Sequence, residues 1–263
     1  MWPLRTNAYI SYLRKNSAMR LYYFIALILL LTGCRAPKET IVSEPDIKGI
    51  QPKGDLIATK DYPKVIAGKP IIITPQGLPP TPDSTFVDLK NYSTDFVYDM
   101  KYATTDNFLE SQVYECAECF LRQKTVLSLI EANQAFMKIG YRIKIFDCYR
   151  PLDIQKKMWA IVSNPDYVAN PSKGSIHNRG GAVDITLVDQ SGNELDMGTG
   201  FDHFGPEAAI GYEKLPEKVK SNRKLLQDIM GRHGFSVLRS EWWHFNFEEA
   251  SSFKISNFKW DCR

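Results

Sequence analysis

Hydrophobic and polar positions divide the chain into three parts: one apolar run within residues 1–33, a proline-rich stretch over residues 34–83, and periodic segments from residue 84 onward. Only the periodic segments predict a folded domain. Over residues 124–139 apolar side chains recur at helical spacing, and Gly140 follows as a stop signal. Residues 222–233 have a second helical pattern, closed by Gly234. A further helix is predicted to begin at Pro151, because proline is favoured in the first turn of a helix.

Strands are predicted where apolar residues alternate with polar ones or form short runs. The predicted strands are residues 86–89, 96–100, 142–146, 182–188 and 243–247. They interleave with the helices without the regular order of parallel βαβ units. The pattern therefore predicts one α+β domain over residues 84–263, with a central, mainly antiparallel sheet flanked by helices.

The first 33 residues have the composition of an export signal. Four basic residues and no acidic ones precede an unbroken apolar run over residues 21–31. At about 1.5 Å per helical residue, this run is too short to cross a hydrocarbon core of about 30 Å. A basic start, a short apolar run and small residues before Cys34 predict a secretory signal peptide. The alternative is a buried N-terminal helix with an incidental cysteine.

Residues 31–34 (LTGC) resemble the bacterial lipobox, in which the cysteine is lipidated and becomes the new N-terminus. The resemblance implies that Cys34 carries a lipid and that the protein is exported to the bacterial cell envelope and anchored in a membrane. Residues 34–83 hold nine of the fifteen prolines, which predicts a semi-rigid tether. Within it, residues 65–74 are apolar enough to form an edge strand.

Charge narrows the choice of partners. The chain has 33 basic and 30 acidic residues, a net charge of +3, and no basic runs. Cleavage after residue 33 would remove four basic residues and leave 29 basic against 30 acidic ones. The weak basicity therefore belongs to the export signal, and no nucleic-acid partner is expected.

The strongest chemical signal comes from histidines and carboxylates in two segments. His177 and Asp184 are separated by a stretch with two glycines, so that a loop can bring the histidine beside the following strand. Far downstream, Glu241 precedes His244 by three residues. Two histidines and one carboxylate form a common catalytic zinc site, and a second carboxylate can act as base on a water molecule. An ordinary hydrogen-bonded His–Asp pair is the alternative for the first segment alone.

Strand geometry favours one division of roles between the two carboxylates without deciding it. Residues three apart on a regular strand point to opposite faces. If His244 points to a metal, Glu241 is expected in the turn just before the strand, whereas Asp184 is better placed as a fixed ligand. Of the other histidines, His203 is a reserve ligand, and His233 is expected to cap a helix C-terminus.

Several motifs in the same order are similar to those of the zinc D-Ala-D-Ala peptidases, and the surrounding sequence resembles their D-alanyl-D-alanine dipeptidase branch. The matching stretches are residues 99–108, 147–151, 175–184, 196–202 and 241–244. The resemblance runs from about residue 86 to residue 247, which is most of the predicted domain.

The resemblance implies roles for eight residues and one zinc ion per chain. The implied zinc ligands are His177, Asp184 and His244. Glu241 matches the general base, and Arg150 matches the arginine that stabilises the tetrahedral intermediate. Three further residues match positions that contact the substrate: Ser175, Tyr102 and Asp202.

The reaction implied by the resemblance is hydrolysis of the free dipeptide D-Ala-D-Ala in cell-wall metabolism. Two alternatives stay open: a D,D-carboxypeptidase that trims D-Ala from peptidoglycan stem peptides, and a catalytically inactive, wall-binding lipoprotein. The match at Asp202, a partner for a free ammonium group, favours the dipeptidase. The presence of all three ligands, the glutamate and the arginine argues against an inactive protein.

Besides Cys34, the chain has four cysteines: Cys116, Cys119, Cys148 and Cys262. In an exported protein an even number favours disulfides, and three pairings are possible. Structural cysteines are favoured over a second metal site, because the chain has a single Cys-x-x-Cys motif. Cys148 stands beside Tyr149 and Arg150, where the family usually has glycine, and Gly181 stands where the family commonly has alanine or serine.

Overall fold

The computed structural model describes residues 82–165 and 167–262. The predicted signal peptide, Cys34, the edge strand over residues 65–74 and nearly all of the tether lie outside these residues. They therefore stay predictions.

Three α-helices confirm the three predicted ones: α1 Gln123–Met137, α2 Leu152–Ile161 and α3 Glu217–Arg232. Prolines at 151 and 216 directly precede α2 and α3. Helix α3 begins five residues before its predicted start, because its first turn is polar apart from Val219 and shows no helical periodicity. In the part of the chain that is described, no helix has the length and apolar character of a membrane span.

Seven strands lie within the described ranges: β1 Phe86–Asp88, β2 Val97–Tyr98, β3 Phe120–Arg122, β4 Tyr141–Asp147, β5 Ala182–Asp189, β6 Phe235–Leu238 and β7 Glu241–Phe247. Five of them form one sheet in the order β2-β4-β5-β7-β6, in which only β2 and β4 are parallel. Strands β1 and β3 form a separate antiparallel pair. The predicted α+β class with a mainly antiparallel sheet is confirmed.

Strands β3 and β6 are not predicted from the sequence, because they are three and four residues long and too short for periodicity to decide. Leu89, predicted to end the first strand, lies in a 3-10 turn, and β2 is shorter than predicted. These differences fall at the edges of the sheets.

Strand β5 lies at the centre of the large sheet and is buried from Ala182 to Val188. Alternation directs Asp184 to one face and its apolar neighbours to the other. Asp184 pairs with Asp147 on β4 and with His244 on β7, so that three polar side chains form a row across one face. Helices α1 and α3 contact each other and the sheet, α1 at β4 and α3 at β6.

Two disulfides select one of the three possible cysteine pairings: Cys116–Cys262 and Cys119–Cys148. They confirm that these cysteines are structural. The first joins the C-terminal segment to a loop 146 positions earlier, and the second joins residues flanking β3 and β4, 29 positions apart.

Candidate active site

Three buried side chains converge at one face of the large sheet: His177, Asp184 and His244. His177 lies in a 3-10 turn before β5, and Gly180 ends this turn with a φ of 74°, a conformation that favours glycine. His177 Nε2 lies 3.2 Å from His244 Nδ1 and 3.4 Å from one carboxylate oxygen of Asp184. The other Asp184 oxygen lies 3.0 Å from His244 Nδ1. The structure thus brings the three predicted ligands together.

The outer nitrogens of the two histidines determine which ring nitrogens carry protons. His177 Nδ1 lies 2.6 Å from the carbonyl oxygen of Cys148, and His244 Nε2 lies 2.9 Å from Asn246 Oδ1. Carbonyl and amide oxygens only accept, so each outer nitrogen donates. In neutral rings this leaves lone pairs on His177 Nε2 and His244 Nδ1, which face each other and Asp184.

With both rings neutral, these lone pairs would repel each other and the carboxylate, and a cation between them removes this repulsion. Two imidazole nitrogens and one carboxylate, with each outer nitrogen bound to an oxygen, are the donor set of a catalytic zinc site. The described residues therefore fit a zinc ion.

Glu241 is the first residue of β7 and does not lie in the turn before the strand, which corrects the prediction. The pairing of β7 with β6 shifts here: Val237 pairs with Phe245, whereas Leu238 pairs with Glu241. This irregularity interrupts the alternation that would send residues three apart to opposite faces.

Burial is the main cause of a raised pKa at Glu241. The electrostatic interaction with His244 lowers this pKa, and the interaction with Asp184 raises it further. A carboxylate with a raised pKa binds a proton more strongly near neutral pH, which suits a general base.

Arg150 is buried and held in one orientation. Its Nη2 donates to Asp147 Oδ2 at 2.7 Å, and its Nη1 donates to Gln155 Oε1 at 3.0 Å. The guanidinium carbon lies 5.2 Å from the centre of the Tyr102 ring. Arg150 Nε is buried and has no hydrogen-bond partner among the described residues, so that its N–H is available to a ligand.

Asp147 is the residue through which Arg150 is fixed to the sheet. It is fully buried, and its Oδ1 accepts hydrogen bonds from the Tyr114 hydroxyl at 2.7 Å and from the Cys148 backbone N–H at 2.9 Å. A buried arginine–carboxylate pair needs such additional hydrogen bonds, because the charges have lost their water.

Tyr102, which is buried, and Asp202, which is half-buried, form a pair near the ligands. The Tyr102 hydroxyl lies 3.2 and 3.0 Å from the two Asp202 carboxylate oxygens and donates to this group. Asp202 has a φ of 57°, a strained conformation for a residue other than glycine. Burial, followed by the charge of Asp184, raises the pKa of Asp202 well above its usual range, although Tyr102 opposes this effect. A cation beside this carboxylate would favour its ionised form.

The remaining sequence candidates have simpler environments. Ser175 Oγ accepts the backbone N–H of His177 at 3.2 Å and so supports the turn that holds this ligand. His203 is exposed, 3.3 Å from Glu207 Oε2 and outside the buried cluster, which gives no support to a ligand role. His233 is the C-cap residue of α3, as predicted.

Three residues that orient the candidate site are not among the predicted site residues: Asp147, Gln155 and Asn246. Asn246 was open to prediction, because it lies two residues after His244 on the same strand. Asp147 ends a buried strand three residues before Arg150, which is also a recognisable spacing. Gln155 carries no such signal, since its contact depends on how α2 packs.

The family described as D-ala-D-ala dipeptidase (Peptidase_M15) matches residues 83–260. The chain belongs to this family. The match covers every residue of the site described above and makes the chain a metallopeptidase.

The matches to relatives in this family cover most of the length of each relative. The chain is 35% identical to the D-alanyl-D-alanine dipeptidase of Escherichia coli over 176 residues, which are 67% of this chain and 91% of the relative. It is 31% identical to the D-alanyl-D-alanine dipeptidase of Enterococcus faecium over 169 residues, 56% of this chain and 84% of the relative. A solved vancomycin resistance D,D-pentapeptidase in complex with Zn(II) matches 51% of this chain and 78% of its own, with 16% identity and a TM-score of 0.32.

Proposed function

We propose that this metallopeptidase is a zinc-dependent dipeptidase that hydrolyses D-Ala-D-Ala to two molecules of D-alanine in peptidoglycan metabolism. The observation that carries the proposal is the pair of facing lone pairs on His177 and His244 beside Asp184, with Glu241 nearby. The substrate is proposed from the relatives, which are named D-alanyl-D-alanine dipeptidases.

One zinc ion per chain would be held by His177 Nε2, His244 Nδ1 and the Asp184 carboxylate. When bound, zinc supplies a Lewis acid that polarises the peptide carbonyl and lowers the pKa of a water molecule. Cys148 and Asn246 would keep both ligand nitrogens free of protons by accepting from the outer nitrogens.

Glu241 would carry the proton during the reaction. Its carboxylate takes a proton from the attacking water and passes it to the leaving amine, so that no strong acid is needed from solvent. The raised pKa of Glu241 makes it a stronger base for the transfer from water.

Arg150 would stabilise the negative charge that develops on the carbonyl oxygen. Asp147 and Gln155 already hold its guanidinium, so that little reorganisation is needed when the charge forms. The unpaired Nε is a donor for this purpose.

Asp202 would select dipeptides by binding their free ammonium group, with the carboxylate oriented by Tyr102. An N-acylated peptide offers no cation to this carboxylate, and the lost charge-assisted hydrogen bond costs about 1–3 kcal/mol. Ser175, beside the ligand turn, is proposed as a further substrate contact.

We also propose that the protein is exported and held in the cell envelope by a lipid on Cys34. Support comes from the basic start, the short apolar run and the LTGC sequence before the tether. Metabolic labelling with a radioactive fatty acid tests this proposal: wild-type chain should be labelled and Cys34→Ala should not, and label in both would contradict it.

The zinc requirement is tested by removal and return of the metal. Purified full chain should lose D-Ala-D-Ala hydrolysis after dialysis against a chelator and regain it with one equivalent of Zn²⁺. Full activity in protein shown to be metal-free would contradict the proposal.

A further inference from the structure

The disulfide between Cys119 and Cys148 lies directly behind the candidate metal ligands. Cys148 follows Asp147 at the end of β4 and precedes Tyr149 and Arg150. Both half-cystines have 0% exposure, so that solvent thiols do not reach the bond in the folded protein. The bond is therefore buried beside residues of the candidate site.

The backbone of Cys148 holds a ligand. Its carbonyl oxygen accepts the Nδ1 hydrogen of His177 at 2.6 Å and thereby leaves His177 Nε2 for the metal. The neighbouring Arg150 N–H donates to the His177 carbonyl at 3.1 Å, and Asn178 Nδ2 donates to the Arg150 carbonyl at 2.8 Å. The segment that contains Cys148 and the turn that contains His177 are therefore joined by three hydrogen bonds.

The other half of the disulfide connects back to the same turn. Cys119 directly precedes β3, and the Tyr149 N–H donates to the Phe120 carbonyl at 3.0 Å beside the bond. At the far end of β3, the Arg122 N–H donates to the Gly180 carbonyl at 2.9 Å. Gly180 ends the turn of His177. The disulfide and the hydrogen bonds therefore connect this turn both to the segment of Cys148 and, through β3, to Cys119.

We propose that the Cys119–Cys148 disulfide positions His177 for metal binding by fixing the carbonyl oxygen of Cys148. The inference rests on the proposed function, because it takes His177 as a zinc ligand. Cys148 acts through His177 and is a positioning residue. Since both sulfurs are buried, the bond is a permanent part of the site.

The second disulfide provides a matched control. Cys116–Cys262 closes a loop with a sequence separation of 146 against 29, so that its removal should cost more stability on chain-entropy grounds. Its described contact is with Trp260, whose Nε1 lies 3.3 Å from Cys116 Sγ. The two bonds thus separate a stability effect from a positioning effect.

The experiment compares Cys119→Ala/Cys148→Ala with Cys116→Ala/Cys262→Ala in full chain produced under oxidising conditions. Zinc affinity is measured by competition with a chromophoric chelator, at a temperature below both melting transitions. We expect the Cys119/Cys148 variant to bind zinc at least about 10-fold more weakly than wild type. The control should keep its affinity although its melting temperature falls further.

A proton NMR signal gives a second readout. In wild-type protein the hydrogen-bonded Nδ1 proton of His177 should be a downfield resonance, identified by its loss in His177→Gln. We expect this resonance to shift or broaden in the Cys119/Cys148 variant and to be unchanged in the control. A merely structural disulfide would leave both variants with the wild-type resonance.

The other outcomes count against the inference, against the proposed function, or against both. Equal zinc affinity in wild type and the Cys119/Cys148 variant would overturn it. If this variant does not fold, Cys119→Val/Cys148→Ala is used to fill the space, and failure of both while the control folds would assign the bond to folding alone. Wild-type chain that binds zinc but does not hydrolyse D-Ala-D-Ala would contradict the proposed function only. Absence of zinc binding by wild type would contradict both.

Discussion

His177 Nε2 and His244 Nδ1 face each other at 3.2 Å, and the other nitrogen of each ring is bound to an oxygen acceptor. One ring comes from a turn before β5 and the other from β7, so that the fold brings them together. With both rings neutral, their lone pairs would repel each other at this distance, and a metal ion bound between them removes the repulsion.

Replacement of Glu241 by glutamine should separate metal binding from turnover. Glutamine has nearly the same shape but is not a base, so that kcat should fall by about 100- to 10,000-fold. Zinc content, measured by elemental analysis, should stay at one per chain. The control is Glu248→Gln at an exposed position just after β7. Wild-type turnover in Glu241→Gln would remove the assigned role.

Replacement of Asp202 by asparagine should act on substrate binding. The loss of a charge-assisted contact to the ammonium group should raise KM for D-Ala-D-Ala by about 10- to 100-fold, with a smaller change in kcat. Steady-state kinetics measure both values. Asp196→Asn, on the same loop and exposed, is the control. An unchanged KM in Asp202→Asn would show that the ammonium group binds elsewhere.

The same residue predicts a pH dependence. Burial raises the pKa of Asp202, so that its carboxyl group gains a proton as the pH falls through that raised value. The neutral form attracts an ammonium group less, and KM should therefore rise on acidification at a pH above the usual aspartate range. With saturating zinc, KM of Asp202→Asn should change less over this range. Parallel profiles for the two proteins would contradict the prediction.

Replacement of Arg150 by lysine should lower kcat although the charge is kept. Lysine does not reproduce the planar group that joins Asp147 and Gln155. We expect a loss of about 100- to 1,000-fold in kcat, as for removal of an oxyanion donor. Arg232→Lys at the exposed end of α3 is the control. Activity within a few-fold of wild type in Arg150→Lys would assign this arginine to structure only.

Replacement of Asp147 by asparagine should lower the free energy of unfolding by about 3 kcal/mol, because it leaves the charge of Arg150 buried without its partner. Urea unfolding measures the change. Asp228→Asn removes the partner of an exposed lysine on α3, and its effect should be much smaller. Equal effects of the two substitutions would show that the buried pair contributes no more to the free energy of unfolding than the exposed pair does.

Long periodic segments made the fold largely predictable. Helix α1 and strand β5 each have more than seven residues with a regular pattern, and their positions agree with the sequence within two residues. Short elements such as β6 were missed, because four residues contain too little periodicity. The start of α3 was misplaced, because its first turn is polar and is set by Pro216.

The site was predictable as a set of residues but not as a geometry. Residue types and order indicated His177, Asp184 and His244, whose convergence the structure provides. The predicted position of Glu241 was wrong, because the prediction assumed a regular strand, whereas the pairing of β7 with β6 is irregular at Glu241. The carbonyl of Cys148 as a ligand support could not be predicted, since backbone acceptors carry no residue signature.

The most direct test is D-alanine release from D-Ala-D-Ala and from its N-acetylated form by the zinc-loaded full chain. A dipeptidase that binds the free ammonium group through Asp202 should have a kcat/KM lower by about 10- to 100-fold or more for the acetylated substrate. Equal or faster cleavage of the acetylated form would indicate a carboxypeptidase that acts on longer peptides. Release from neither substrate would contradict the account altogether.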